Sequence, residues 1–391
     1  MRPCLKPALR RAWRDRHTLQ FGVGRAHAAV LESAAPDDIA LLELLDGTRE
    51  LPALAAEAAR LGIDPAQVDS LLDRLSAAKV LDDGTAQRPL LELHPAELAR
   101  LGPDLAALSL AHPEPGSAPA LLLARRRARV QVRGAGRIGA AVAAVLAASG
   151  VGQVEVVDGG RVLEQDASPC GLLVADTGRP RAAAARAAVR RAAPGRPDDH
   201  RGQRRSPDLV VLAPRGDSAG LLPDPELSRE LLSAGTTHLY AGVLETLGTV
   251  GPFVVPGSSP CGRCLSLHRS DEDPAWPRLL AQHCSGRGNG GTAACDSALA
   301  TTVAGLAALH CLIFLDGGSP PSLGAWAEVS MVDGSMRRRP LDPHPDCGCC
   351  WSGGAEGPGS TDRPRADRRA GAQSLGGTMM ATLDPATGRQ A

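Results

Sequence analysis

The sequence predicts an α/β protein in which a doubly wound, mostly parallel sheet follows a smaller N-terminal module. From residue 127 onward, short apolar runs that suit buried strands alternate with helical patterns. Such alternation is typical of a parallel sheet with helices on both faces. A Gly-x-Gly-x-x-Gly turn also joins the first of these strands to its helix. The 391 residues are enough for roughly two or three domains.

The first hundred residues predict a small α/β module of the winged-helix type. Apolar runs at 17–23 and 26–31 indicate two strands. Leucines and alanines at helical spacing then predict three short helices, separated by Gly47 and Gly62. The helical patterns cover 36–45, 51–61 and 64–80. A further helix is indicated at 95–110, and the stretch 111–118 has the composition of a linker. We therefore expect a module at 1–100 and a linker at 101–126.

The main domain is expected at 127–351. It begins with a strand–turn–helix–strand unit made of a strand at 127–132, a helix at 140–149 and a strand at 153–157. Further strands are predicted at 208–213, 237–243, 324–331 and 335–339, with helices at 181–193 and 292–315. The glycines and prolines after Thr246 predict a loop-rich crossover. Residues 352–391 are rich in Gly, Ser, Arg and Ala and predict a disordered tail.

The glycine turn is placed where a phosphate-binding loop is expected. Gly134 permits the tight turn, Gly136 lets a phosphate approach the backbone, and Gly139 lets the helix pack closely on the strand. The N-terminus of the helix then faces the negative charge. Asp158 ends the next strand, where a carboxylate can bind ribose hydroxyls. The sequence thus predicts a Rossmann-like nucleotide site, or the same fold with a site that no longer binds a nucleotide.

Two cysteine pairs predict a structural zinc site. Cys261-x-x-Cys264 lies in a loop rich in glycine and proline, and Cys347-x-Cys349 lies far downstream. Two such knuckles can supply four thiolates to one tetrahedral Zn²⁺. Cys350 is an alternative fourth ligand, because Cys347-x-x-Cys350 also has knuckle spacing. The other interpretation is that these are reactive or redox thiols.

Two further cysteines have separate interpretations. Cys311 lies within the long apolar helix and is expected in the core. Cys295 lies near the start of that helix, where the helix dipole can lower a thiol pKa. It is therefore a minor candidate for a nucleophile.

Composition excludes several classes of protein. The 43 basic residues equal the 43 acidic residues, which argues against a general polyanion binder. A DNA-binding role for the arginine-rich start is therefore disfavoured, and the basic residues there suit a solvated surface. The N-terminus has no apolar segment of the signal-peptide type, and no membrane span is expected. We expect a cytoplasmic protein with reduced thiols. An NAD-dependent oxidoreductase is compatible with the glycine turn, but nothing marks a hydride-transfer site.

Over residues 127–351 these features together resemble the ThiF/MoeB/ubiquitin-activating-enzyme superfamily. The residues that carry the resemblance are the glycine turn, the run 151–158 (VGQVEVVD), the run 178–182 (GRPRA) and the turn 257–264 (GSSPCGRC). The resemblance implies an ATP-binding adenylyltransferase that uses Mg²⁺ and activates a carboxylate of a small protein or peptide. It implies nucleotide contacts from Gly134, Gly136, Gly139, Asp158 and Arg181. It also implies the zinc clip, and ThiF-like domains commonly pair as homodimers.

Several positions depart from the superfamily's pattern. Gly160 stands where a second acidic residue is expected, and 166–169 (DASP) lacks the usual Asn and Arg. Arg181 matches a catalytic lysine, and Arg keeps the charge with a different geometry. Arg215 falls at the magnesium-linked aspartate, while Asp217 lies two residues later. These departures favour reduced chemistry, whereas the intact glycine turn favours a bound nucleotide.

The N-terminal module carries a second resemblance. Its strands and short helices at 1–83 look like the leader-peptide recognition module of ribosomal-peptide biosynthesis. Fusions of that module to a reduced ThiF-like domain resemble the cyclodehydratase partner proteins of azole and azoline peptides. The resemblance implies a leader peptide bound by strand addition and a recruited partner enzyme. Two functions therefore stay open: an active adenylyltransferase, or a catalytically reduced scaffold that recruits substrate.

Overall fold

A seven-stranded sheet with helices on both faces forms the centre of the protein. The computed structural model describes residues 1–194, 206–215, 225–284 and 293–349. The sheet order is β12-β11-β10-β9-β8-β6-β7. Its strands are β6 (Arg129–Arg133), β7 (Gln153–Val157), β8 (Leu209–Leu212), β9 (His238–Leu244), β10 (Leu247–Val254), β11 (Ala325–Ser330) and β12 (Met336–Pro340). The strands from β7 to β9 pair in parallel, and β10, β11 and β12 extend the sheet antiparallel. The predicted doubly wound α/β fold is confirmed.

The two faces of the sheet are covered by different helices. On one face, α6 (Arg137–Ala148), α7 (Arg181–Ala192) and α11 (Ser297–Leu315) pack over alternate strand residues such as Leu209 and Val211. On the other face, Val210 and Leu212 pack near α8 (Pro225–Ser233) and α9 (Gly262–Glu272), which α10 (Trp276–Cys284) follows. This alternation follows from the two-residue period of a strand.

The segment after Thr246 differs from its expected loop. Residues Leu247–Val254 form β10, which pairs with both β9 and β11. Gly248 is needed here because a Cβ atom at this position would lie 2.4 Å from Cγ2 of Val303 on α11. The glycine that suggested a loop in the sequence therefore serves close packing between a strand and a helix.

The N-terminal module has the two expected strands, the three expected helices and three further short strands. The strands β2 (Arg11–Trp13), β3 (Leu19–Phe21) and β4 (Ala29–Leu31) form an antiparallel sheet, and β1 (Pro3–Leu5) pairs with β5 (Leu81–Asp83). The helices α1 (Pro36–Leu44), α2 (Leu51–Arg60) and α3 (Pro65–Ala77) pack with these strands around one core. Prolines at the first turn of each helix suit positions whose N–H groups have no helical partner.

The segment 101–126, expected to be a linker, is mostly helical. It belongs to α4 (Pro95–Ala111) and α5 (Ser117–Arg127), joined by a short turn. Leu101, Leu108 and Leu122 are buried between the two helices. The helices thus form a packed layer between the N-terminal module and the sheet. The expected tail at 352–391 lies outside the described residues.

Within the described residues, α11 is the one helix long and apolar enough to cross a membrane. Half of its apolar window is buried inside the protein, which is what a core helix shows.

Candidate functional site

The site lies where the strand order reverses. β6 has β7 on one side and β8 on the other, so the carboxyl ends of β6 and β8 flank a crevice. In open α/β sheets ligands bind in such a crevice. A cavity of about 400 Å³ opens here. Its lining includes Gly136 and Arg137 after β6, Asp166, Ala213 to Arg215 after β8, and 293–296 before α11.

The glycine turn has the geometry its sequence predicts. Gly134 has φ of +106°, and a Cβ there would lie 2.1 Å from the carbonyl oxygen of Ala213. A Cβ at Gly139 would lie 2.1 Å from the carbonyl oxygen of Gly134. A Cβ at Gly136 would meet nothing closer than Cγ of Arg215 at 3.6 Å, and Gly136 lines the open cavity. The turn is therefore compact on its protein side and open at the N-terminus of α6.

Arg137 is a site residue that the motif does not specify. Its guanidinium donates to the carbonyl oxygen of Cys295 at 2.6 Å, to Oγ of Ser297 and to the carbonyl oxygen of Gln165. It thereby fastens the start of α11 over the glycine turn. Cys295 lines the cavity. Arg137 occupies a variable position of the glycine motif, so the sequence indicated its positive charge but not its role in the site.

Asp158 is largely buried and its oxygens are bonded within the protein. Oδ2 accepts from the Ala135 N–H at 2.9 Å, and Oδ1 accepts from the Gly160 N–H at 2.7 Å. Nε of Arg181 donates to Oδ1 at 2.9 Å. Burial would raise the pKa of Asp158, but these hydrogen bonds and the Arg181 charge lower it below its usual value. The carboxylate predicted for ribose therefore holds the glycine turn and Arg181.

Gly160 and Arg181 occupy one space. A Cβ at Gly160 would lie 2.2 Å from Nη2 of Arg181. The guanidinium thus fills the volume that a side chain at Gly160 would need. Gly160 replaces an acidic residue of the superfamily's pattern, and Arg181 replaces a smaller lysine. These two departures belong to one packing arrangement.

A second acid–arginine pair continues from the first. Asp166 is buried, and its Oδ1 accepts from Nε of Arg215 at 2.6 Å. Its Oδ2 accepts from the Leu163 N–H at 2.8 Å and lies 3.8 Å from Nη1 of Arg181. Asp158, Arg181, Asp166 and Arg215 therefore alternate in charge, and the last two of them line the cavity. We call these four residues the ion-pair row. Asp217 lies outside the described residues.

The four predicted cysteines come together on the opposite face of the sheet. Sγ of Cys261 lies 3.5 Å from Sγ of Cys347, and Sγ of Cys264 lies 3.3 Å from Sγ of Cys349. All four sulfur atoms lie within 4.8 Å of one another. Bonds of about 2.3 Å to one tetrahedral ion place sulfur atoms about 3.8 Å apart. The cluster fits a zinc ion. Cys350 lies outside the described residues.

Backbone and side-chain groups support the cysteine cluster. The hydrogen bond with Cys261, together with the N–H of His344, lowers the pKa of Cys264 and favours its thiolate. His344 is buried, and its Nδ1 accepts from the Asp346 N–H at 3.1 Å. Nε2 therefore carries the hydrogen and donates to Asp271 at 2.9 Å. Because that nitrogen is protonated, His268, Asp271 and His344 suit a hydrogen-bonded clamp beside the cluster better than a second metal site.

A groove runs between β4 and α3 in the N-terminal module. Its volume is about 300 Å³, and it is lined by Phe21, 29–31, Arg74, Leu75, Ala77 and Ala78. β4 is an edge strand that pairs with β3 on one side only, among the described residues. Val30 on this strand has 39% of its surface exposed. An unpaired strand edge beside an apolar groove has the geometry for strand addition by a peptide.

The match to a known family decides the assignment. The ThiF family matches residues 118–349, which is more than half of the chain. The chain belongs to the ThiF family.

Solved structures similar to this ThiF protein share its fold. E. coli MccB bound to succinimide has a TM-score of 0.64 at 16% identity, covering 90% of this chain and 100% of MccB. E. coli MccB with ATP gives a TM-score of 0.63 at 16% identity and the same coverage. The heterocyclase TruD gives 0.58 at 17% identity, covering 89% of this chain and 42% of TruD. No curated protein matches the chain in sequence.

The ThiF match covers the glycine turn, the ion-pair row and the cysteine cluster. The N-terminal strands and α1 to α3 lie before the matched residues. The MccB and TruD structures nevertheless cover about nine-tenths of this chain. Their similarity in fold therefore extends into the N-terminal module.

Proposed function

We propose that this ThiF protein binds a leader peptide and recruits a partner cyclodehydratase in ribosomal-peptide modification, with its nucleotide-type sheet kept as a scaffold. The observation that carries the proposal is the ion-pair row. Asp158, Arg181, Asp166 and Arg215 pair with one another beside the glycine turn, and Asp166 and Arg215 line the cavity there. Groups that neutralise each other contribute little to stabilising charge that develops on a substrate.

Magnesium does not fit this arrangement. The superfamily's metal-linked aspartate corresponds to Arg215, whose guanidinium repels a divalent cation. Asp166 is neutralised by that same arginine, and Oδ1 of Asp296 at the cavity already accepts the N–H groups of Ala298 and Leu299, which leaves one oxygen of that carboxylate. No step of an adenylation reaction is therefore assigned to a metal here.

The groove beside β4 is the proposed peptide site. A peptide strand that pairs with β4 gains main-chain hydrogen bonds, and its alternate side chains reach the apolar lining of α3. The structure of MccB with N-formylated MccA is a peptide complex of a protein similar in fold. TruD, another fold relative, is a heterocyclase. The MccB complex with MccA supports a peptide as the substrate class of this chain.

Cys261, Cys264, Cys347 and Cys349 are proposed to hold a structural zinc ion. Four thiolates leave no open coordination position, so the ion would supply no chemistry. It would instead fasten the segment after β12 to the start of α9. We also propose a cytoplasmic protein, because thiolates of this kind need reducing conditions, and a homodimer of the kind that ThiF-like domains form.

An active adenylyltransferase is the second candidate. The open backbone at Gly136, the N-terminus of α6 and the cavity of about 400 Å³ favour it, since together they have room and dipole for a phosphate. Arg215 also lines this space, where Asp166 already pairs with its charge. These features support binding of a nucleotide more directly than they support its turnover.

Calorimetric titration of the zinc-loaded chain with ATP, with and without Mg²⁺, tests the scaffold. We expect weak or no binding, no gain in affinity from Mg²⁺, and no ATP–pyrophosphate exchange. Arg215→Asp is the matched variant, because it restores a carboxylate at the metal-linked position and frees Asp166. Binding of ATP to the unmodified chain that Mg²⁺ strengthens, and that Arg181→Ala and Asp158→Ala both weaken, would favour the adenylyltransferase instead.

A further inference from the structure

A second cavity lies where the N-terminal module meets α4. It has a volume of about 300 Å³ and is lined by Lys6, Lys79 and His27 among mainly apolar residues. The other lining residues are Leu9, Ala26, Ala28, Ala78, Leu110, Ala111 and Pro113. None of the described residues that line it is acidic. Three residues that can carry positive charge, Lys6, Lys79 and His27, therefore line the cavity.

Lys6 is an unusual lysine because only 2% of its surface is exposed. Its Nζ donates to the carbonyl oxygen of Ser109 at 2.7 Å and to that of Pro113 at 2.9 Å. An ammonium group has three donors, so one N–H is left beyond these two bonds. Burial lowers the pKa of Lys6, while the nearby charges of Asp82 and Glu114 raise it. Its printed hydrogen bonds are to carbonyls, so an anion that reaches the remaining N–H would add a charge-assisted bond to the longer-range attraction of Asp82 and Glu114.

Lys79 supplies the second positive charge from the end of α3. Its φ is +59°, in the left-handed region, and its N–H donates to the carbonyl oxygen of Ser76. Glycine is the usual residue at such a helix end, because a Cβ in this conformation costs free energy. Lysine adds a charge here that glycine would lack. That charge is near enough to Lys6 to lower its pKa.

The cavity around Lys6 and Lys79 continues from the proposed peptide groove. Ala78 lines both spaces, and residues 26–28 of the cavity directly precede Ala29 of β4. A peptide that adds antiparallel to β4, as β3 does, runs from Leu31 towards Ala29. Its C-terminal end is then directed to Lys79 and Lys6.

We propose that this cavity, which we call the basic cavity, binds a carboxylate of the peptide held on β4. Lys6 and Lys79 would pair with that carboxylate, so peptides recognised by this chain carry an acidic residue after their strand-forming segment. The inference rests on the proposed peptide binding and adds a rule of sequence selection to it. Ion pairs of this kind contribute to the choice of partner and to its register.

Selection from a library of random 14-residue displayed peptides on the zinc-loaded full chain tests the proposal. Parallel selections use Lys79→Gly and Lys6→Met. Lys79→Gly is the decisive variant, because glycine suits the left-handed backbone and the fold should be at least as stable. We expect peptides selected on the unmodified chain to share Asp or Glu at one spacing after an apolar segment. Peptides selected on Lys79→Gly should lose that preference.

Synthetic peptides from the selected pool show whether the bound carboxylate is a side chain or the C-terminus of the peptide. Replacing the shared Glu by Gln should weaken binding about tenfold or more on the unmodified chain and leave binding to Lys79→Gly nearly unchanged. If the side chain is recognised, amidation of the peptide's C-terminus should change binding little. If the C-terminus is recognised, amidation should weaken binding more than the change of Glu to Gln does.

The possible failures differ from one another. Selected peptides with no acidic preference, or with the same preference on Lys79→Gly, would overturn the basic cavity and leave peptide binding intact. A library that yields no binder on any of the three proteins would overturn the proposed peptide function and this inference with it.

Discussion

At the scale of single residues, the site is governed by which charges already have partners. Asp158 was correctly expected at the end of β7, yet its oxygens bond to Ala135, Gly160 and Arg181. Sequence spacing locates a carboxylate on a strand end but does not indicate what its oxygens bond. That depends on side chains brought in from α7 and from the loop after β8, which are remote in the chain.

Gly160 and Arg181 are predicted to be coupled in stability. Gly160→Ala places a Cβ against the guanidinium and should lower the free energy of unfolding by about 2 kcal/mol, through loss of the charge-assisted hydrogen bond to Asp158. Gly160→Ala with Arg181→Lys should lose less than the sum of the two single changes, as urea unfolding will measure.

Gly159→Ala is the matched control for this pair, because nothing lies within 4 Å of a Cβ there. Equal losses for alanine at positions 159 and 160 would contradict the shared space of Gly160 and Arg181.

Two buried histidines are predicted to make the fold sensitive to mild acid. His310 and His238 are 2% and 0% exposed, and burial lowers the pKa of each to about 4 from 6.5. The unfolded chain binds protons on them below pH 6.5 while the folded chain does not. The stability that each neutral histidine contributes is therefore fully present above pH 6.5. As pH falls from 6.5 towards 4, the free energy of unfolding decreases by about 3 kcal/mol per histidine.

His310→Asn tests that window. Asparagine keeps a partner for Oγ of Ser322, which lies 2.8 Å from Nδ1 of His310, and removes the titration. Urea unfolding between pH 7 and pH 4.5 should show a shallower fall in stability than in the unmodified chain. His17→Asn makes the same substitution at an exposed position and is the surface control. An unaltered slope in His310→Asn would show that this histidine does not contribute.

At the scale of elements, helices and strands with clear periodicity were predictable, and those interrupted by glycine or proline were not. The predicted helices at 36–45, 51–61 and 64–80 correspond to α1, α2 and α3 within a few residues. β10 was mistaken for a loop because Gly248, Gly251 and Pro252 are turn residues by propensity. In the structure Gly248 makes room for α11, a tertiary reason that no local pattern carries.

Within the linker expected at 101–126, the helix indicated at 95–110 is present as α4, whereas α5 was not predicted. Gly102 and Pro103 lie inside α4, and the prolines after His112 mark only the turn to α5. Burial of Leu101 and Leu108 against Leu122 outweighs the local cost of those residues. The cysteine pairs were easier to predict, because ligand chemistry restricts their spacing.

Zinc is predicted to join two elements that are far apart in sequence. Cys261→Ser should reduce bound zinc from stoichiometric to little or none and lower stability by several kcal/mol, because metal binding here contributes to folding. Metal content by mass spectrometry and thermal unfolding will measure both.

Cys170→Ser is the control for Cys261→Ser, since Cys170 is exposed and outside the cluster. Stoichiometric zinc in Cys261→Ser would exclude Cys261 as a ligand.

At the scale of the whole molecule, the layer of α4 and α5 connects the N-terminal module to the sheet. Lys6 donates to carbonyls near the end of α4. Arg126 bonds Glu97 within the layer. Arg125 donates from α5 to Asp316 at the end of α11 with two bonds, of 2.7 and 2.5 Å. In the proposed recruiting scaffold, these bonds would hold a peptide on the N-terminal module in a fixed position relative to the sheet.

The pair of Arg125 and Asp316 provides a test of that connection, because their side chains are only 8% and 6% exposed. Arg125→Leu leaves Asp316 buried without its partner and should cost about 3–5 kcal/mol, whereas Arg125→Leu with Asp316→Leu should recover most of the loss.

If the layer of α4 and α5 couples the unfolding of the N-terminal module to that of the sheet, Arg125→Leu will also separate the two unfolding transitions. Hydrogen exchange followed by mass spectrometry would then show β2 to β4 and β6 to β9 opening at different denaturant concentrations. A single shared transition in Arg125→Leu would mean that the module and the sheet are coupled through other contacts, such as those of Lys6.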